Sequence, residues 1–228
     1  MKARLRSNLR ELRRDELGDA ARLIGTSMRD NPSDVQVFRI PDARCRSLAL
    51  ERFFLPVLSG LYKRGLIFGA FRRGVLVGVC GMARPGFCQP RTLEKIRVLP
   101  SAIRGNPVDT PVRILKWVGE WARHDPAEPH WHLGPVAVHP GLQGQGIGSA
   151  MLATFCAVMD KWQALSYLET DKPENVRLYQ RFGFTVIVSA KVLGVPNWFM
   201  SRCVSTSESQ YEDEDAETLA TPRRRSES

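Results

Sequence analysis

Between His130 and Leu152 the sequence reads HWHLGPVAVHPGLQGQGIGSAML, and Gly141, Gly144, Gly146 and Gly148 crowd the passage from an alternating apolar run to a helical one. Backbone without side chains at such a turn suits anion binding. The first N–H groups of a helix have no partner inside it, and missing side chains let a phosphate come close to them. Two common phosphate-binding loops fail on spacing. A Walker loop needs G-x-x-x-x-G-K-[ST], but Gly146 is followed by Ile147 and Gly148. A dinucleotide loop needs G-x-G-x-x-G, but Gly144, Gly146 and Gly148 run G-x-G-x-G. What remains is Q-x-x-G-x-G, made by Gln143, Gly146 and Gly148.

The elements that must hold this loop follow from hydrophobic pattern. His130 to His139 reads as a strand with Leu133 and Ala137 on one side and Val136 and Val138 on the other, suited to burial on both faces as in a central strand. Pro135 cannot donate to a ladder, so the strand is expected to bulge or part from a neighbour there. After the loop, Ile147, Met151, Phe155, Val158 and Trp162 form a helical stripe, in which Cys156 reads as packing. Upstream, NLRELRR reads as a strand, and Glu16 to Arg29 as a helix with Leu17, Ala21, Ile24 and Met28 on one face, stopped by Asn31-Pro32. Ala43 to Arg64 reads as a helix with a kink or break at Pro56. LIFGAF and VLVGVCGMA form a hairpin across Arg72-Arg73-Gly74. Pro85 to Pro111, with bends at Pro90, Pro100, Gly105 and Pro107, reads as a long surface excursion, and Val112 to His124 as a further helix. There is no internal repeat.

Composition sets outer limits. A chain of 228 residues, 43% hydrophobic, can bury one core, and its length favours one domain over two. The five cysteines are scattered and lack C-x-x-C spacing, so neither a disulfide framework nor a metal site is expected. The basic start has no apolar stretch behind it and no segment is long enough to span a bilayer, so a cytoplasmic protein without a membrane partner is expected. The formal charge of +9 is uneven. Val204 to Ser228 holds seven acids against three arginines, leaving +13 for the rest. That tail is poor in apolar residues and is expected to be disordered, which puts the folded domain at residues 1–203. A basic body suits nucleic acid, an anionic membrane or a polyphosphate ligand, but no nucleic-acid motif is present and nucleic acid is not expected as a partner.

The Q-x-x-G-x-G loop directly after a strand resembles the acetyl-CoA pyrophosphate loop of the GNAT superfamily of N-acetyltransferases. LSYLETDKPENVRLYQRFGFTVI, read as strand, short helix and strand, is similar to the second half of that superfamily's core, through Asn175, Tyr179, Gly183 and Phe184. Asn175 and Tyr179 lie one turn apart, so both can address one ligand. YLETDKPENVRLYQRFGF and the ending NWFMSRC, with Trp198 and Met200, resemble the puromycin-acetyltransferase-like branch. The resemblance covers about residues 8 to 203. It implies an α/β (α+β) fold built on a single mixed, mostly antiparallel sheet of six or seven strands, splayed at its central strand, with helices on both faces.

The chemistry so implied is transfer of an acetyl group from acetyl-CoA to a primary amine of a small molecule, by direct attack in a ternary complex. An alkyl amine is mostly protonated at neutral pH, so a base must take its proton. The resemblance assigns that role first to His132, which matches the first of two histidines in arylalkylamine acetyltransferases; Gly134 replaces the second. His130 or Glu169 through a water is the alternative, and Glu169 also suits orienting the acceptor. Tyr179 is the general acid for the departing thiolate. The backbone of Val136, Ala137 and Val138 would pair with the pantetheine arm and polarise the thioester carbonyl. Gln143, Gly144, Gln145, Gly146, Ile147, Gly148 and Ser149 would hold the pyrophosphate, with Asn175 and Tyr179 completing the cofactor site. Other readings are a protein or peptide N-acetyltransferase and a CoA-binding module without catalysis. A monomer or homodimer fits either.

Overall fold

The computed structural model describes residues 8–89 and 92–203. The tail expected to be disordered, residues 204–228, lies outside them. Seven strands, β1 (Asn8–Glu11), β2 (Gly65–Arg72), β3 (Val75–Ala83), β4 (Trp131–Val138), β5 (Ser166–Thr170), β6 (Thr185–Val192) and β7 (Val195–Arg202), form one sheet in the order β1-β2-β3-β4-β5-β7-β6. Every neighbouring pair is antiparallel except β4 and β5. Helices α1 (Leu17–Met28), α2 (Pro32–Phe38), α3 (Ala43–Arg64), α4 (Thr92–Ile103) and α5 (Thr110–Ala122) contribute to the core on one face. Helices α6 (Ile147–Lys161) and α7 (Pro173–Gln180) contribute to the core on the other. The expected mixed sheet with helices on both faces is what the chain adopts. No helix among the described residues is long and apolar enough to cross a membrane.

The sheet opens where the sequence signals it. β4 and β5 pair only at Trp131 with Ser166 and His132 with Tyr167, and beyond His132 the two strands separate. On its other side β4 is bulged, because Leu133 faces Met82 and Val136 faces Cys80, so Gly134 and Pro135 together oppose Gly81. The extra residue reverses the alternation of side chains. Trp131, Leu133, Val136 and Val138 all pack with α6, whereas Ala137 packs with α1 to α5. This corrects the expected pattern, in which Leu133 and Ala137 shared a face.

Three further expectations are adjusted. Asn31-Pro32 does end α1, but Pro32 then occupies the first position of α2, where its missing N–H costs nothing. α3 runs through Pro56 for 22 residues without ending there. The excursion expected from Pro85 to Pro111 contains α4, hidden from a reading by breakers because Pro100 lies inside it. The β2–β3 hairpin follows its sequence, since Arg73 and Gly74 both adopt positive φ, at 50° and 78°, as a two-residue primed turn requires.

Candidate active site

The glycine loop is shaped as its composition demands. After β4 the chain makes a 3-10 turn at Pro140–Leu142, passes Gly144 and Gly146 in left-handed backbone (φ 74° and 84°), and enters α6. Ala150 N donates to Gly146 O at 3.0 Å, closing the first helical turn. The N–H groups of Ile147, Gly148 and Ser149 precede that bond and stay outside the helical ladder, with no side-chain cap from Gly146. At Gly148 a Cβ would meet only Val138 Cγ2 at 3.8 Å, an ordinary contact. Packing therefore does not require glycine there, and the clearance fits a group approaching from outside the chain.

The parted strand offers further donors and acceptors. His139 N donates to Val77 O on the β3 side at 2.9 Å. Alternation then turns the peptide groups of Ala137 toward β3 and those of Val136 and Val138 into the parting. Within the parting the Val138 carbonyl is already taken, accepting from Ser27 Oγ at 2.6 Å and from Gln143 Nε2 at 3.1 Å. Gln143 thus braces the loop. Gln145 does the same at the rim, its Oε1 accepting from Arg72 Nη1 at 2.6 Å.

One cavity of about 1080 Å³ unites these parts. It is lined by Val136, Val138, Gln143, Gly144, Gly146, Ile147, Gly148 and Ser149, and also by His132, Glu169, Asn175 and Tyr179. Ala137, Gln145 and His130 are not among its lining residues. On the side of α3 and α5 its wall is aromatic, with Phe53, Trp117 and Trp121 in contact as a chain of rings.

His132 and Glu169 meet at the mouth of the parting. His132 lies in the last pairing between β4 and β5, opposite Tyr167, and Glu169 follows two residues along β5 on the same face. Their side chains approach to 2.7 Å, Nε2 to Oε2, with only 16% and 4% of their surfaces exposed. The contact is an ion pair by distance rather than an aligned hydrogen bond, since Glu169 Oε2 has no hydrogen-bonded donor. In the neutral ring, Nε2 carries the hydrogen at that separation from a carboxylate and Nδ1 keeps the lone pair, and Nδ1 is buried without completing a hydrogen bond. Burial works against the imidazolium, but Glu169 and the neighbouring Cys88 thiol outweigh it and hold the His132 pKa well above its ordinary value.

Tyr179 projects from the second turn of α7, one turn beyond Asn175, whose Nδ2 donates to Thr170 Oγ1 at 3.3 Å. Burial raises its phenol above the usual range, so it stays protonated at neutral pH. Cys156 is packed inside the α6 core and burial raises its thiol, consistent with a packing role.

Three groups near the site were not apparent from the sequence. Cys88, which lines the cavity, stands by His130 and His132; burial raises its thiol, but the two imidazoles lower it further, to about 7. Their H-x-H spacing at the start of β4 was visible, but the chain distance to Cys88 hid the cluster. Asp34 is 4% exposed and lines the cavity. Burial, then the neighbouring Asp171 carboxylate, push its carboxyl well above the ordinary range. Ser27, which holds the Val138 carbonyl, gave no signal beyond being a small polar residue on α1.

Residues 38–184 match the acetyltransferase (GNAT) family. Among solved structures, the chain is similar to one described as histone acetyltransferase HPA2 and related acetyltransferase from Corynebacterium glutamicum, at 20% identity and TM-score 0.64, covering 89% of this chain and 99% of that one. It is also similar to an N-acetyltransferase from Staphylococcus aureus Mu50, at 11% identity and TM-score 0.53, covering 87% and 98%. The ribosomal-protein-S18-alanine N-acetyltransferase of Escherichia coli matches at 14% identity and TM-score 0.52, covering 90% and 97%. These likenesses are of fold. With the family match spanning most of the sheet and the glycine loop, the chain belongs to the acetyltransferase (GNAT) family.

Proposed function

We propose that the protein transfers the acetyl group of acetyl-CoA to a primary amine of a small molecule, by direct attack while both substrates are bound. The observation that carries this reading is the buried His132–Glu169 pair, set in one cavity with the free N–H groups of α6 and the Tyr179 phenol.

Acetyl-CoA enters as a substrate. Its pyrophosphate suits the N–H groups of Ile147, Gly148 and Ser149 and the clearance over Gly148. Its amide-bearing arm suits the peptide groups of Val136 and Val138, and a Val136 N–H is available to polarise the thioester carbonyl. The neutral form of His132 takes a proton from the acceptor ammonium at Nδ1, Glu169 balancing the resulting imidazolium, and the freed amine nitrogen then forms a bond to the carbonyl carbon. The carbon–sulfur bond breaks, the thiolate takes the Tyr179 proton, and the second proton released by the amine nitrogen restores the phenol. The carboxylates of Glu169 and Asp171, together with the aromatic wall, suit an acceptor that arrives as a cation. The L-E-T strand and the ending with Trp198 and Met200 support placing the protein near the puromycin-acetyltransferase-like branch.

The test is release of free CoA thiol with polyamines, arylalkylamines, aminoglycosides, amino-nucleosides and peptides as acceptors. Turnover with one small-amine class and none with peptides supports the proposal. Turnover confined to peptides would replace it with a peptide N-acetyltransferase.

A further inference from the structure

Cys88, His130 and His132 bring one sulfur and two imidazole nitrogens to within 4.8 Å of one another. Each ring is already anchored by its other nitrogen. His130 Nδ1 lies 2.9 Å from the Glu128 carbonyl, an acceptor, so Nδ1 carries the hydrogen and Nε2 keeps the lone pair. His132 is held the other way round, with Nε2 against Glu169 and Nδ1 left with the lone pair. Both lone-pair nitrogens are buried and complete no hydrogen bond by geometry, the single thiol proton of Cys88 beside them can serve at most one, and His130 is only 7% exposed. Buried polar atoms normally find partners, so two orphans beside one thiol point to something missing between them. Histidines that bind metals characteristically place their second ring nitrogen against a carbonyl or carboxylate, as His130 Nδ1 does with the Glu128 carbonyl and His132 Nε2 does, as an ion pair, with Glu169.

We propose that Cys88, His130 and His132 form a binding site for Zn²⁺. One thiolate and two imidazoles select a borderline-soft ion over Mg²⁺ or Ca²⁺, and three protein ligands leave a fourth position open. That position lies on the cavity side, since Cys88 and His132 both line the cavity. A tetrahedral ion wants its ligand atoms roughly 3.5 Å apart. Cys88 sits in the segment after β3, outside any helix or strand, where its side chain can close the difference. The thiol gives up only two long sulfur contacts in doing so, to the carbonyls of Arg84 at 3.8 Å and His130 at 3.7 Å. Binding releases the thiol proton and consumes the His132 Nδ1 lone pair. The ion and the acceptor's proton therefore compete for one nitrogen, and Zn²⁺ acts as a reversible inhibitor of transfer. The inhibition rests on His132 being the base; the binding does not.

The experiment titrates the metal-free, full-length protein with Co²⁺ as a spectroscopic probe and with Zn²⁺ by calorimetry, after thermal melts confirm that each variant folds. A thiolate-to-cobalt charge-transfer band is expected, displaced by Zn²⁺, abolished in Cys88→Ser, with affinity reduced at least about tenfold in His130→Asn. Absence of the band, or unchanged Zn²⁺ affinity in both folded variants, overturns the site. A second arm measures amine acetylation with and without Zn²⁺. Inhibition reversed by a chelator, and weaker in His130→Asn, supports the competition. Full activity with the site saturated overturns the inhibition and leaves the binding site standing. If no amine is acetylated at all, the proposed activity fails while the cobalt spectrum still decides the metal site.

Discussion

Leu133 and Ala137 stand four positions apart on β4 and face opposite sides of the sheet. In a regular strand they would share a side. The reversal comes from Gly134 and Pro135 standing together against Gly81, and it sets the sheet's opening and the site's geometry at once. Before the bulge His132 faces α1 to α5 and Glu169; after it, Val136 and Val138 turn their peptide groups into the parting.

Gly81 is the place to test this. A Cβ there would come to 2.8 Å from the Gly134 carbonyl and 2.7 Å from Leu61 Cδ2, so the bulge must shift. Gly81→Ala is expected to cost about 1–3 kcal/mol of stability, as overpacking does. It should also weaken acetyl-CoA binding in the protein that remains folded. A variant with wild-type melting temperature and cofactor affinity would show that the bulge tolerates the methyl and does not control the parting.

Gly148 makes the opposite case. It has room for a methyl group within the fold, so Gly148→Ala should melt no lower than the wild type, helped by higher helix propensity. If a pyrophosphate approaches the N–H groups at this turn, the same methyl blocks it. The dissociation constant for acetyl-CoA is expected to rise at least about tenfold, roughly 1.4 kcal/mol. Equal affinities by calorimetry would remove the phosphate from this loop.

The sequence made the loop, the strand break and the Asn175–Tyr179 helix legible because each is local chemistry: glycines, a proline and a one-turn spacing. Gly146 and Gly144 do adopt left-handed backbone, and β4 and β5 do separate near Pro135. What stayed hidden needed through-space knowledge. Cys88 and His130 are far apart in the chain, and Asp34 gains its character only by being buried beside Asp171. Face assignments after Pro135 came out reversed because period-two counting assumes that no residue is added to the strand. Ala137 and Gln145, grouped with the cofactor residues by position, turn instead to β3 and to Arg72.

A separate prediction concerns acid stability. Arg10 binds Glu16 through two nitrogens, at 2.8 and 2.6 Å, tying β1 to the turn that starts α1. The Arg10 hydrogen bonds, against an opposing burial effect and with help from the Arg13 backbone, lower the Glu16 carboxyl from 4.5 to about 2. A depressed carboxylate contributes stability above its unfolded pKa and loses it as pH falls through the folded one. Arg10 stays 36% exposed, so solvent screening keeps the contribution of the pair small. Denaturant melts should find Glu16→Gln less stable at pH 6, with the gap to wild type closing between about 4.5 and 2. A gap that stays constant across that window would assign the loss to packing.

The last prediction separates acid from base at the reacting centre. Tyr179→Phe keeps the ring that packs against Phe184 and removes only the proton donor. Acetyl-CoA affinity should hold while turnover falls about 10²-fold or more, if protonation of the thiolate matters. The loss should shrink with acyl donors whose leaving thiol is more acidic, since they need less help to depart. His132→Ala should lower turnover by a similar factor of about 10², but its loss should not depend on the leaving thiol. Added imidazole should restore part of it, by entering the space vacated beside Glu169. Glu169→Gln, which keeps the shape and removes the balancing charge, should fall between wild type and His132→Ala. If Tyr179→Phe loses cofactor affinity rather than turnover, the phenol is a binding group. If imidazole fails to rescue a folded His132→Ala, and Glu169→Gln matches the wild type, then His132 is structural and the amine proton leaves by another route.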